Sequence, residues 1–345
     1  MTTAPLITMT AVGDFMIQQR AEPDDIAIVA QHLEGADFKI ANIDTVLSDL
    51  GERNPKYSNL RGPQGAVLDI QAMGFDVVTL ANNHAMDFGG SGLADMRAAF
   101  KRAGVHPVGA GQTLLEATAP LKLASGDRTV SIFSIACTLP PGSAAGERSP
   151  GVAPLRIHQA YAVDESLAAE QPGSVPTVIT RPDPVDLKRI CDAVALARQA
   201  GDIVLVAIHW GVPRLWRSGG GPRVLDYQTT VGRTIIDAGA DAVVGNHAHE
   251  LHEIEMYHER PIFYSLGNFW IDSIAERRWM GREAFAVKME FSGEGRPELY
   301  ILPLLLNEQG VPEFDLLNRA ITMLREICED LNFEPTSDAR WFRVG

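Results

Sequence analysis

Ile203-Val204-Leu205-Val206-Ala207-Ile208-His209-Trp210-Gly211 and Ala242-Val243-Val244-Gly245-Asn246-His247-Ala248-His249 decide how this chain is read. Each is a short, β-branched apolar run that stops abruptly at His, Asn and Gly. A run this apolar reads as a strand buried on both faces, as in a largely parallel sheet. The same pattern recurs outward from these two segments, and strands are expected at residues 6–12, 38–43, 77–80, 130–135 and 262–265. Between them lie stretches with helical spacing, at residues 92–103 (stopped by Gly104), 185–199 (stopped by Gly201) and 229–238 (stopped by Gly239). Strands alternating with helices predict an α/β fold.

The last third of the chain reads differently. Residues 253–257, 261–265, 284–291 and 299–306 follow one another as strands with short turns, so a second, more antiparallel sheet is expected there. Residues 138–182 are irregular, with one helical run around 160–169. Residues 212–228 carry Arg214, Arg217 and Arg223 around a Gly219-Gly220-Gly221-Pro222 cluster. Loops of that length in a compact chain are usually functional or mobile. Residues 314–332 read as an amphipathic helix, which makes residues 311–345 a helical extension packed on a domain spanning residues 1–310.

Composition excludes several classes. The 345 residues include 30 Lys and Arg against 44 Asp and Glu, a net charge of −14, with 46% hydrophobic residues. That is too apolar for a disordered chain. It also has the wrong sign for a nucleic-acid partner, which needs basic patches. The three cysteines, Cys137, Cys191 and Cys328, are too few for a disulfide framework and too far apart for a paired-cysteine zinc site. No apolar run reaches the length of a membrane span. The N-terminal residues have no basic region followed by an apolar stretch. The expectation is a soluble, cytoplasmic protein. Nothing in the sequence sets an oligomeric state.

Five clusters place Asp, Asn or His immediately after an apolar strand. They are Gly13-Asp14, Asn42-Ile43-Asp44, Asn82-Asn83-His84 with Asp87, His209-Trp210-Gly211, and Gly245 to His249. Ligands of open α/β sheets bind beyond the carboxyl ends of the strands. Neighbouring strands would therefore bring these loops together. The collected donors are the oxygens of Asp14, Asp44 and Asn83 and the imidazoles of His209, His247 and His249. That mixture suits a divalent Mn, Fe or Zn ion. Singly, each cluster has an ordinary reading: a turn, a cap, or a hydrogen-bonded core imidazole. Convergence of all five is what a metal centre requires. His252 and His258 are expected to be ordinary strand-surface histidines.

The order Gly-Asp, Asn-x-acid, Ala-Asn-Asn-His-x-x-Asp, His-Trp-Gly, Gly-x-His-x-His and Tyr-Ser-Leu-Gly-Asn-Phe, the last at residues 264–269, resembles the poly-γ-glutamate capsule-biosynthesis (CapA-type) family of the calcineurin-like metallophosphoesterase superfamily. The resemblance implies a four-layer αββα sandwich of two mixed sheets with metal at one edge. It implies that Asp14 and His249 hold one ion, that Asp44 bridges to a second, and that Asn83, His209 and His247 complete the second. His84 becomes the general acid or oxyanion clamp. Asp87 and Asn268 are further candidates for the catalytic machinery, placed to orient the ligands. Capsule-associated members also tend to carry an N-terminal membrane anchor.

Three departures from the family pattern stand out. Met16 replaces the usual first-motif His, Asp44 replaces the usual Glu, and Pro213 stands where an acidic residue is common. A thioether is a poor ligand for hard ions. One or two ions are therefore expected. The reading that follows is a metal-dependent hydrolase acting on a phosphoester. The alternatives are a γ-glutamyl or other amide hydrolase using the same site, and a non-catalytic polymer-binding or assembly protein. Arg214, Arg217 and Arg223 are candidates to hold a substrate phosphate or carboxylate.

Overall fold

The computed structural model describes residues 7–217, 223–292 and 296–345. Leu6 and the Gly219-to-Pro222 cluster lie outside these. Two large mixed sheets carry the fold. The ten-stranded sheet runs in the order Phe333–Pro335, Phe342–Val344, Glu298–Leu306, Glu283–Phe291, Ile7–Met16, Phe38–Ile43, Val77–Thr79 and His106–Val108. In it, Asn268–Ile271 also pairs with Ile7–Met16, and Pro312–Phe314 with Glu298–Leu306. The six-stranded sheet has Ala242–Asn246, Ile203–His209 and Arg128–Ala136 at its centre. Its central strands are parallel and its two edge strands antiparallel.

Period-two alternation explains the layers. Ile203 and Leu205 face a core shared with Ile7, Met9, Ile40 and Val77 of the other sheet. Val204, Val206 and Ile208 point the opposite way, into the core packed by Ile190, Val194, Val231 and Ile235 of the helices Pro184–Gln199 and Asp226–Asp237. The ten-stranded sheet is covered likewise on its outer face by Val29, Ile70, Leu93 and Phe100 of three helices. The result is an αββα sandwich. Its inter-sheet face changes character along each strand. Ile40 is followed two residues later by Asn42, Val77 by Thr79, Val244 by Asn246, and Ala207 by His209. The apolar core therefore ends in a polar rim at the carboxyl edge of both sheets.

Several expectations are corrected. The late strands Glu283–Phe291 and Glu298–Leu306 do not form a sheet of their own. Glu283–Phe291 adds antiparallel to Ile7–Met16 and Glu298–Leu306 antiparallel to Glu283–Phe291, and the parallel strands are the ones divided between the two sheets. Alternation dictates which face a residue takes; sheet membership is decided by pairing far along the chain. Residues 157–182, expected irregular, form the hairpin Ile157–Ala162 with Thr177–Pro182, and the helix there is only Glu165–Glu170. Residues 311–345 contain one short helix, Arg319–Ile327, together with three strands of the ten-stranded sheet. The helix starts late because the buried Asp315 carboxylate accepts the Leu317 and Ala320 amides, at 3.3 and 2.9 Å, and holds the preceding residues in a turn. Among the described residues no helix is long and apolar enough to cross a membrane.

Candidate metal centre

The polar rim gathers the strand-end clusters at one place. A ligand atom from each of Asp14, Asp44 and His209 lies within 4.8 Å of the others, and all three residues are buried. The Asp44 carboxylate is 0% exposed, and neither of its oxygens has a hydrogen-bond partner. Its nearest cationic-capable neighbours are His209 Nε2 at 3.7 Å and His249 Nε2 at 4.0 Å. Those separations are too long for hydrogen bonds. They suit ligands that each stand about 2 Å from a shared ion. His209 Nε2 is 2.7 Å from Asn83 Oδ1, so the Asn83 and His209 donors converge beside Asp44. The His247 ring lies 4.6 Å from the His209 ring, and its Nδ1 has no partner.

The Asp14 side is built differently. Asn42 Nδ2 donates to Asp14 Oδ1 at 2.7 Å, and the His247 amide donates to Oδ2 at 2.9 Å. His249 Nδ1 lies 3.3 Å from Asp14 Oδ2 and 2.9 Å from Asn268 Oδ1. Asn268 Nδ2 in turn donates to the His249 and Gly281 carbonyls, both at 3.0 Å. Met16 faces away from this chemistry, in an apolar cluster with Leu60, Ile271, Met280 and Leu306.

Charge follows from this packing. Burial raises the Asp44 carboxyl to about 6, with the nearby His84 charge pulling the other way. Burial also holds His209 and His247 well below the ordinary imidazole value, helped by the neighbouring His249. Both rings are therefore neutral at pH 7 and keep a lone pair for a cation. Burial opposes protonation of His249, but its hydrogen bond to Asp14 and the charges of Asp14 and Asp44 win, and its value is raised.

Local sequence explains the geometry. A methyl group on Gly13 would overlap the Gly267 carbonyl, and one on Gly245 would overlap Trp210 Nε1 and the Tyr264 carbonyl. His247 and His249 both have positive φ, 95° and 55°. That conformation costs an ordinary residue of order 1–3 kcal/mol and is found where function holds it. Trp210 is a packing residue, stacked on Tyr264 and donating to its carbonyl at 2.9 Å. Asn82 staples two of the loops: Nδ2 donates to the Ile43 carbonyl at 2.7 Å, while Oδ1 accepts the amides of His84 and Ala85.

Beside the centre stands a second constellation. His84 Nδ1 is 2.7 Å from Asp87 Oδ2, which also accepts the Leu60 amide at 2.6 Å. The other Asp87 oxygen pairs with Lys56, whose ammonium also donates to the Asn83 carbonyl at 2.5 Å. Lys56 carries no periodicity or motif signal, and only tertiary packing delivers it here. Of the arginines, Arg217 pairs with Glu250, and the charge of Arg223 also acts on that carboxylate. Arg214 is exposed and lines a cleft with His249 and Trp279. The Arg217 guanidinium is therefore engaged by Glu250, next in the chain to His249. His252 is buried, not on a strand surface, with Nε2 3.3 Å from Glu250 Oε1. It precedes the strand Ile254–Tyr257, where the chain turns inward. His258 sits exposed in the turn after that strand.

A family model described as "Bacterial capsule synthesis protein PGA_cap" matches residues 8–273. "Capsule biosynthesis protein CapA" of Bacillus anthracis is 30% identical over 319 residues, covering 89% of this chain and 69% of that protein. "PGA biosynthesis protein CapA" of Bacillus subtilis (strain 168) is 26% identical over 343 residues, covering 95% and 79%. "Uncharacterized protein y4sH" of Sinorhizobium fredii (strain NBRC 101917 / NGR234) is 28% identical over 311 residues and 77% of this chain. The chain spans 66% of that relative's length.

Proposed function

The chain belongs to the bacterial capsule synthesis protein family, and from that premise we propose that it is a metal-dependent hydrolase acting on a phosphoester. The observation that carries the reading is Asp44: a fully buried carboxylate with both oxygens unpartnered, faced by the imidazoles of His209 and His249. A buried carboxylate without a hydrogen bond is costly, and a cation held by Asp44, Asn83, His209 and His247 would offset that cost. The donor set of two neutral imidazoles and two oxygens fits Mn, Fe or Zn. Such an ion supplies Lewis-acid polarisation of the scissile group and acidifies water.

The chain's own residues do the rest. Asp87 holds His84 through Nδ1 and leaves Nε2 to give a proton to the departing oxygen. Lys56 and the Leu60 amide hold Asp87. Asn268 and Asp14 fix the His249 ring. General-acid catalysis of this kind contributes roughly 10²- to 10⁴-fold.

A second reading, cleavage of a γ-glutamyl amide by the same site, is favoured by the capsule and PGA names of the relatives and by charge near His249. Arg214 lines a cleft there, and the adjoining cleft holds Arg277, Arg278 and Arg282. None of the four has an ion pair with a carboxylate among the described residues. Guanidinium groups hold phosphate and carboxylate alike.

Metal analysis combined with turnover of an aryl phosphate tests the proposal. The expected result is bound Mn, Fe or Zn, with activity that falls by about 100-fold or more in His84→Ala. Bound metal with no phosphatase activity but turnover of a γ-glutamyl peptide selects the second reading. No metal, and no turnover of either substrate, leaves a polymer-binding or assembly role.

A further inference from the structure

The short turn Arg214–Trp216 separates two clefts of different chemistry. On the His249 side the lining includes Arg214, Glu250 and Trp279. On the other side the lining of a cleft of about 440 Å³ includes Lys56, Tyr57, Asn83, His84 and Trp216. We propose that this second cleft is the subsite for the leaving group of the substrate, and that the leaving group carries an aromatic ring. The proposal rests on the hydrolase reading above and adds the class of substrate to it.

Position is the first argument. His84, the residue that faces the departing atom, forms part of the cleft wall. Charge is the second. Among the described residues of the lining, Lys56 is the one permanently charged side chain. Its ammonium is committed to Asp87 and to the Asn83 carbonyl. An acidic leaving group would therefore meet no unengaged lysine or arginine among the described residues here, whereas the arginines without carboxylate partners lie on the far side of the turn. Surface chemistry is the third. Tyr57 is 96% exposed and Trp216 53% exposed, their ring centres 6.5 Å apart and nearly perpendicular. Trp216 continues to Trp279 at 5.3 Å, and Trp279 stands edge-on to His249 at 5.8 Å. An aromatic wall thus runs from the His84 cleft to the metal centre. Open aromatic surface of this kind marks a binding site. Its quadrupoles favour a second π-ring over an alkyl chain beyond area alone.

The test is calorimetric binding of benzylphosphonate and butylphosphonate, neither of which can be hydrolysed at a C–O–P bond, to the full chain in the presence of Mn²⁺. The expected result is benzylphosphonate bound roughly 3- to 10-fold more tightly. Trp216→Ala and Tyr57→Ala should each narrow that gap; both side chains are exposed, so the fold survives. Equal affinities, a gap that persists in both variants, or no binding of either compound overturns the subsite. Turnover of benzyl phosphate and butyl phosphate is measured separately. A ring preference in binding without any turnover keeps the subsite and removes the phosphoester reading. Turnover of both esters without a ring preference does the reverse.

Discussion

The two halves of the centre are built from the same residue types and left in opposite states. On the Asp14 side every carboxylate oxygen is answered, by Asn42, by the His247 amide and by His249. On the Asp44 side neither oxygen is answered, and His247 Nδ1 also stands alone. The first half is complete as protein; the second is not. Met16 completes the contrast, because the position that would add an imidazole to the first half is packed into the apolar cluster instead. The difference places the unanswered carboxylate of the candidate centre at Asp44. We therefore expect one ion held tightly there and a second held weakly.

The largest effect that could break this comparison is Asp44→Asn. Metal content should fall to near zero, and hydrolysis by about 1,000-fold or more, since a loss of four kcal/mol or so of transition-state stabilisation is at stake. In chelator the same variant should be more stable than wild type at pH 8, on the order of 2–3 kcal/mol, because a buried uncompensated charge is gone. Denaturant melts with and without chelator check both signs. A variant less stable than wild type in chelator would mean that Asp44 is satisfied by the protein after all.

Next is Lys56→Met. It strips one oxygen of Asp87 and frees the Asn83 carbonyl. Supporting contacts of this kind are worth roughly 10- to 100-fold. We expect that loss in kcat, with metal content nearly unchanged, measured by steady-state kinetics beside metal analysis.

The pH dependence sharpens the same point. Burial raises the Asp44 carboxyl to about 6 from an ordinary 3.8, so the native state holds that proton more tightly than the unfolded chain. Stability contributed by this group is therefore present at low pH and is lost as pH rises from about 4 through 6. Melting in chelator across that range should show the loss, and added Mn²⁺ should abolish it.

The smallest effect is Met16→His. It offers the first half its missing imidazole at the expense of apolar packing. Metal stoichiometry should move from near one toward two while the melting temperature falls by a few degrees. An unchanged stoichiometry would show that something other than Met16 keeps the first half ion-poor.

Much of this centre is legible in the sequence because parallel strands deliver their carboxyl ends to one edge. An apolar run ending in His209, or in Asn246 and His247, announces both the strand and the polar rim at its carboxyl end. The outer and inner faces of Ile203–His209 follow from alternation alone. Lys56, Trp216 and Trp279 could not be read this way, since each lies in a segment without periodicity and reaches the site only through tertiary packing. His252 looked like a surface residue for the same reason: two residues of turn before a strand decide its burial. The strands Pro312–Phe314, Phe333–Pro335 and Phe342–Val344 are too short for any pattern to register, and the helical spacing beside them dominates.

Anomalous diffraction at the Mn, Fe and Zn edges, from crystals of protein purified without chelator, locates any bound ion. One strong peak is expected within about 2.5 Å of the Asp44 carboxylate and within reach of Asn83, His209 and His247, with a weak peak or none beside Asp14. Absence of any peak at Asp44 in metal-supplemented crystals would contradict that expectation.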